Sequence, residues 1–322
     1  MAYRLKRSES VAGGVKRVIT EELDSSAEGL EHANARERDE AVHAARKSVK
    51  KIRGALRLVE PELRSAFRDE NRRFRDLGHR LSEVRDAQAM LEVFDSLAGE
   101  ASKSGGVHAF GGIRSGLEKK KRETEQAGRI EKVIRTTIGA LHGARRRVAR
   151  LPLSEDGFAA VAPGLKLTYA RGAKALTRAQ KKATAVRYHD LRKRVKDHWY
   201  HMRLLESLWT DAQQARQKSL HELETWLGDD HNLVLLCERL RTEPAKYGGN
   251  EQVHLFLALA AERQANLRAN AIAMAQRLYE EKPGDFMRRM KNLWRTWQHD
   301  PDSIKAVQKQ QRNSGGPHPA GG

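Results

Sequence analysis

An all-α fold built from two copies of one helical unit is what this chain predicts, on three observations. Apolar residues recur at helical spacing almost throughout, and the strict alternation of a half-buried strand is nearly absent. The prolines punctuate the periodic segments instead of interrupting them, at Pro61, Pro152, Pro163, Pro244, Pro283 and Pro301, with Pro317 and Pro319 in the final residues. The third observation is a repeat: His43-Ala44-Ala45-Arg46-Lys47-Ser48-Val49-Lys50 returns 146 positions later as His189-Asp190-Leu191-Arg192-Lys193-Arg194-Val195-Lys196. The register then holds without a gap, pairing Leu77 with Leu223, Leu81 with Leu227, Glu92 with Glu238, and Arg85-Asp86 with His231-Asn232. Agreement over three successive helices marks a duplicated bundle.

The first helix is expected from about Ser10 to Leu30, with Val11, Val15, Val18, Ile19 and Leu23 on one face. Asp39 is placed as the cap of the next, which carries His43 and ends before Pro61. Two shorter helices, Glu62 to about Leu81 and Asp86 to about Leu97, complete the first cluster. Gly105-Gly106 and Gly111-Gly112 bracket a loop, and Ile113 to about Arg150 reads as one long basic helix. The stretch between Pro152 and Pro163 is the boundary candidate, with two prolines and two glycines close together. A basic helix through Lys166–Lys182 follows, then a His189 helix ending near Trp209. Helices of about Asp211–Leu227, Asp230–Glu243, Glu251–Glu281 and Asp285–Gln298 close the fold. The resulting organisation is one domain over 5–298, with repeat one at about 5–150, a linker at 151–163 and repeat two at 164–298. A Gly- and Pro-rich tail over 299–322 is expected to be disordered.

Sixty-one basic against 42 acidic residues leave a net charge of +19, which favours polyanionic partners: nucleic acid, anionic membrane or polyphosphate. Aromatic residues are only 6%, too few for a platform on which bases stack. Cys237 is the single cysteine, so no intrachain disulfide forms, as suits a reducing compartment. The opening residues lack the apolar stretch of a signal peptide, and the richest apolar run, Leu255 to Ala261, falls far short of the roughly 20 residues of a membrane helix. The expectation is a cytoplasmic protein with no integral membrane segment.

The repeated helix carries the chemistry. At about 100° per residue, with His43 at zero, Arg46, Lys47, Lys50, Arg53 and Arg57 fall within about 80° of it. Val42, Ala45, Val49, Ile52 and Leu56 lie on the opposite, core-facing side. Residues 41–58 hold six Lys or Arg and no Asp or Glu, whereas a solvated helix face intersperses both signs. Such a stripe is mildly self-repelling without a counter-anion, and it recurs as Arg192, Lys193, Lys196 and Arg203 behind His189. In the second copy Asp197 replaces Lys51 and Trp199 replaces Arg53, so the first copy is expected to dominate binding. His43 and His189 open the stripes, and neighbouring cations disfavour their protonation until phosphate binds. Affinity for phosphate chains is therefore expected to rise as pH falls from about 8 to about 6. Arg85 and His231, matched across the copies, are further candidates.

These motifs resemble the CHAD family, the conserved histidine α-helical domain. The resemblance rests on His43-x-x-Arg46-Lys47-x-x-Lys50-x-x-Arg53-x-x-x-Arg57, Leu81-Ser82-Glu83-Val84-Arg85-Asp86, His189-x-x-Arg192-Lys193-x-x-Lys196, Leu227-Gly228-Asp229-Asp230-His231-Asn232 and Leu278-Tyr279-Glu280-Glu281-Lys282-Pro283. It implies two four-helix bundles related by pseudo-twofold symmetry, with basic helix faces lining a central groove. It also implies binding of inorganic polyphosphate and association with polyphosphate granules. The Glu-x-Glu-x-Lys signature of the triphosphatase domain fused to some members is absent, since Glu123-Thr124-Glu125 is followed by Gln126-Ala127.

Elementary physics supports the same ligand, because a row of cations engages successive phosphates and releases counterions. The basic segments Lys119–Arg122, Arg145–Arg147 and Lys166–Lys182 are either extensions of that track or outer helix faces. A nucleic-acid-binding protein is the alternative, ranked lower because no recognised DNA- or RNA-binding motif is present. A metal-dependent phosphohydrolase ranks lower still. Asp197, His198 and His201, and the Asp229-Asp230-His231 cluster, lack partners at metal-ligand spacing and read as polar helix surface or caps. No catalytic residue, metal or cofactor is expected. Trp226, Trp294 and Trp297 are assigned to the core, as is Cys237.

Overall fold

A computed structural model of the chain describes residues 3–34, 36–103, 110–124 and 127–299, with the side chains of 83–86, 101–103, 124 and 127–129 outside that description. All regular structure among the described residues is helical. The helices are α1 (Val11–His32), α2 (Arg38–Leu58), α3 (Glu60–Leu63), α4 (Ser65–Lys103), α5 (Gly111–Thr124), α6 (Ala127–Ala149), α7 (Gly157–Lys181), α8 (Ala185–Leu204), α9 (Thr210–Thr242), α10 (Gly249–Leu278) and α11 (Pro283–His299). Short 3-10 turns, Glu206–Leu208 and Pro244–Tyr247, precede and follow α9. No helix among them is long and apolar enough to cross a membrane. The loop glycines 105 and 106 and the tail beyond His299 lie outside the described residues.

Helix ends follow local chemistry. Ser10 caps α1 by accepting from the Gly13 amide at 3.1 Å, and Asp156, just ahead of α7, accepts from the Val11 amide at 2.7 Å. Asp39 is not a cap. Asn34 accepts from the Arg36 and Glu37 amides, so α2 starts one residue ahead of Asp39, which sits in the first turn.

Three sequence expectations about continuity change. The two helices expected on either side of residues 82–85 are one, α4, since neither glycine nor proline stands there to break it. The helices expected to part at Gly228 are likewise one, α9. A mid-helix glycine costs only about 1 kcal/mol, less than the packing of buried Leu227 and Leu233 on either side returns. Conversely, the single helix expected over 113–150 is two. Ile113 and Leu117 pack in one core and Leu141, Ala144 and Val148 in another, with the like charges of Lys119–Arg122 between them. Pro163 lies inside α7, so the extended part of the connection ends at Asp156.

Those two cores set the architecture. The main one gathers α1, α2, α6, α7, α8 and α11 with the near halves of α4 and α9 and the far half of α10. The smaller one joins Leu91 and Phe94 of α4, Ile113 of α5, Leu236 and Cys237 of α9, and Phe256 of α10. Both cores draw on both halves of the sequence, and the partly buried Trp226 packs against each. Trp294 is buried in the main core, and Trp297 packs against it.

Candidate functional site

The two copies of the repeated helix lie against each other, because Gly54 lets them. A Cβ at that position would stand 2.7 Å from the Tyr200 Cβ of α8, and the Gly54 carbonyl accepts a hydrogen bond from His201 Nε2 at 3.1 Å. Gly164 of α7 does the same for the end of α2, where a Cβ would fall 2.0 Å from the Leu58 carbonyl oxygen. Gly54→Ala is expected to lower stability by about 2 kcal/mol, through overpacking at this crossing. Thermal denaturation reads it, and an unchanged Tm would show that α2 and α8 part without penalty.

Beside this crossing a cavity of about 230 Å³ opens between the helices. α2 contributes Lys50, Arg53 and Arg57, and α8 contributes His189, Arg192, Lys193, Arg194 and Lys196, with Asp197 and Tyr200 completing the lining. Seven cationic side chains thus face one carboxylate. Asp197 accepts from Arg57 at 3.1 Å and stands 3.8 Å from Arg194; burial pushes its pKa up against the pull of those guanidiniums. Arg53 Nε donates to Asn71 Oδ1 at 3.0 Å, and burial, then Arg57, pushes its pKa down to about 10.

The second stripe is partly neutralised from α9. Glu224 accepts from Lys196 at 2.6 Å and from Arg192 at 3.2 Å, and although burial opposes its ionisation, these two cations hold its carboxyl below the usual range. Lys193 and Arg194 lie 3.5 and 3.4 Å from Asp190. Lys50, which matches Lys196 in the repeat, has no ion pair or hydrogen bond from its ammonium among the described residues. Burial above all, then Lys196, Arg46 and Arg192, push its pKa down to about 7. The position that matches Glu224 in the first copy is Gly78.

His189 is lowered by burial and by Lys193 and Arg192; its Nδ1 is buried without a hydrogen-bond partner. The His231 ring lies 4.0 Å from it, pushed down to about 4 by burial and then by His189. Both imidazoles are therefore neutral near pH 7 in the free protein, and the group titrating there is Lys50.

Of the other sequence candidates, Arg46 sits where its charge acts on Lys50, His43 is partly buried and Lys47 exposed, and none of the three lines the cavity. Arg203 does not join it either. Its guanidinium lies over the rings of Tyr3 and Trp199, 5.2 Å from each centroid, because α8 turns that end toward the N-terminal segment. The side chain of Arg85 falls outside the described residues. His198 and His201, read from sequence as polar helix surface, are fully buried, because α8 is enclosed there by α2, α7 and the end of α10.

The sequence reading missed Arg194, Tyr200 and Glu224. Arg194 falls about 140° from His189 on the wheel, off the stripe, and only the placement of α2 and α7 brings it into the cavity. Glu224 was accessible: a carboxylate aligned with a glycine at the same offset is a departure of the kind that marked Asp197 and Trp199.

A family model for the CHAD domain matches residues 18–241, which run from within α1 to the last turn of α9 and include every residue lining the cavity. The sequence resemblance reached further, to α11. Among solved structures the chain is similar to the CHAD domain from the plant Ricinus communis, with 18% identity, a TM-score of 0.49, and coverage of 91% of this chain and 93% of that one. No curated protein matches the chain.

Proposed function

The chain belongs to the CHAD domain family, and from that premise we propose that it binds inorganic polyphosphate, without turning it over, in the cavity between α2 and α8. The observation that carries this reading is the cavity's charge: seven Lys or Arg around one carboxylate, with the Lys50 ammonium half-buried and making no ion pair among the described residues. A desolvated cation without a counter-charge is costly unless an anion arrives. The forked donors of Arg53, Arg57, Arg192 and Arg194 suit phosphate oxygens, and the lysines supply point charges between them. Lys50 makes no ion pair among the described residues, whereas Lys196 and Arg192 bond Glu224 directly and leave it only a weaker pull on Lys50, which favours an anion seated nearer α2. In the cell the reading places the protein in the cytoplasm, on or beside polyphosphate granules. Among the described residues, Tyr200 is the only aromatic side chain lining the cavity besides His189, which favours phosphates over stacked bases.

Titration of the full chain with long-chain polyphosphate tests the proposal. Five or so phosphate contacts give an expected log–log salt slope of about −4. Anion binding favours protonated Lys50, so affinity falls as pH rises above about 7 by up to tenfold per unit, and Lys50→Arg flattens that dependence. Failure to bind, salt-insensitive binding, full displacement by DNA at equal phosphate concentration, or release of orthophosphate with or without divalent metal would each overturn it.

A further inference from the structure

The basic cavity does not end at α2 and α8. Arg57 and Arg194 also line a second, more open cavity of about 440 Å³, whose other wall is α7. Arg171, Lys174 and Arg178 occupy that wall at spacings of three and four residues, within about 60° of one another on the helix. Resting on the polyphosphate reading, we infer that this second cavity is an outer phosphate site, continuous with the inner one through Arg57 and Arg194, that a linear phosphate polymer enters only when its chain is long enough to pass both guanidiniums.

Three observations support it. First, the two cavities share side chains of the right kind: a guanidinium presents donors along more than one edge, so Arg57 and Arg194 can hold one oxygen in each cavity. Second, the outer wall is under-neutralised. Glu60 holds Arg171 through two hydrogen bonds of 3.0 and 3.2 Å, but Lys174 and Arg178 have no ion-pair partner among the described residues. Those two like charges, four residues apart on one helix face, repel by a few tenths of a kcal/mol, and a counter-anion removes that repulsion. Third, the cavities differ in kind. Inside, Lys50 and Arg53 are largely desolvated and Arg57 is held against Asp197; outside, Lys174 and Arg178 are exposed and extend over solvent. The inner site therefore suits a few tightly held phosphate units, and the outer one adds contacts that a short ligand does not reach. Because each outer contact is intramolecular once the inner site is filled, it acts at high effective concentration and shows as preference for long chains.

The test compares tripolyphosphate with long-chain polyphosphate on the intact protein. Lys174→Gln with Arg178→Gln removes the outer charges at exposed positions; Lys132→Gln with Arg135→Gln on α6, where neither residue lines either of these two cavities, removes the same net charge elsewhere. The outer pair is expected to weaken long-chain binding about tenfold and to flatten its salt slope by about 1.5, leaving tripolyphosphate within twofold of the parent. The α6 pair leaves both ligands unchanged. Equal losses for the two ligands, equal losses from the two variants, or an undiminished long-chain affinity would each overturn the outer site while leaving polyphosphate binding intact. Absence of binding to either ligand by the unsubstituted chain would remove the proposed function itself, and the outer site with it.

Discussion

Lys50→Met is expected to give a protein that is more stable than the parent and binds polyphosphate about tenfold to a hundredfold more weakly. Both effects come from one fact: the Lys50 ammonium sits half-buried among Lys196, Arg46 and Arg192, with no ion pair among the described residues and only the charge of Glu224, beyond ion-pair distance, to offset them. Burial and these neighbours lower its pKa from the ordinary 10.5 to about 7, so the folded state disfavours a charge that the unfolded chain carries freely. The penalty is complete below about pH 7, where both states are protonated, and shrinks as pH rises toward 10.5. Allowing for partial exposure, it is of the order of 2 kcal/mol at pH 7. Methionine replaces the aliphatic stem atom for atom as far as Cε, lacks the terminal ammonium and carries no charge. Its Tm should exceed that of the parent near pH 6 and converge on it near pH 10. Loss of a charge-assisted contact worth roughly 1.5–3 kcal/mol weakens binding tenfold to a hundredfold. A methionine variant that is less stable at pH 6, or that binds as the parent does, would show that the unmatched lysine is not the centre of the site.

How far this arrangement was legible in the sequence depends on which residue is asked about. The wheel identified Lys50, Arg53 and Arg57 because a helix face is a local property, readable from spacing alone. It gave no means of telling them from Arg46 and Lys47 on the same face. That division is made by the crossing of α2 and α8, which lies at Gly54 and Tyr200 and leaves the N-terminal part of the α2 stripe outside the cavity. Arg203 shows the converse, a residue on the correct stripe whose end of the helix points toward Tyr3. The helix boundaries failed for a related reason. Gly228 ends a helix on local propensity, yet its lack of a Cβ accommodates Arg192, whose Nη2 would lie 3.1 Å from that atom, and α9 runs on through it. The asymmetry between the copies was expected from Asp197 and Trp199, and its larger source is the Glu224 carboxylate on a different helix.

The other large effect is acid sensitivity, and it comes from the buried histidines behind the site. His198 and His201 are fully enclosed on α8. His201 donates from Nε2 to the Gly54 carbonyl while its Nδ1 has no partner; His198 shares a hydrogen bond of 3.2 Å between Nδ1 and the Tyr279 hydroxyl while its Nε2 has none. Burial, with Arg57 adding to it, pushes His201 down to about 3 despite the Gly54 contact. Burial also drives His198 well below its ordinary value, and Arg216, His201 and Arg289 add to that; Tyr169 and Tyr279 offer no carboxylate to offset it. Both rings are therefore neutral in the fold but take up protons in the unfolded chain below about pH 6.5, so the unfolded state binds more protons and stability falls with pH. The stabilisation is intact above pH 6.5 and is lost as pH drops toward the folded values. At about 1.4 kcal/mol per unit, His201 alone accounts for a loss of the order of 3 kcal/mol at pH 4.5, and His198 adds to it in the same direction. Urea denaturation at pH 7.5 and 4.5 measures it, and His201→Asn, which can still donate to the Gly54 carbonyl without titrating, should remove the His201 share, about 3 kcal/mol, of the pH dependence. Equal stability at the two pH values would mean that the α2–α8 crossing admits water or charge, and with it that the wall of the anion site is less rigid than its packing implies.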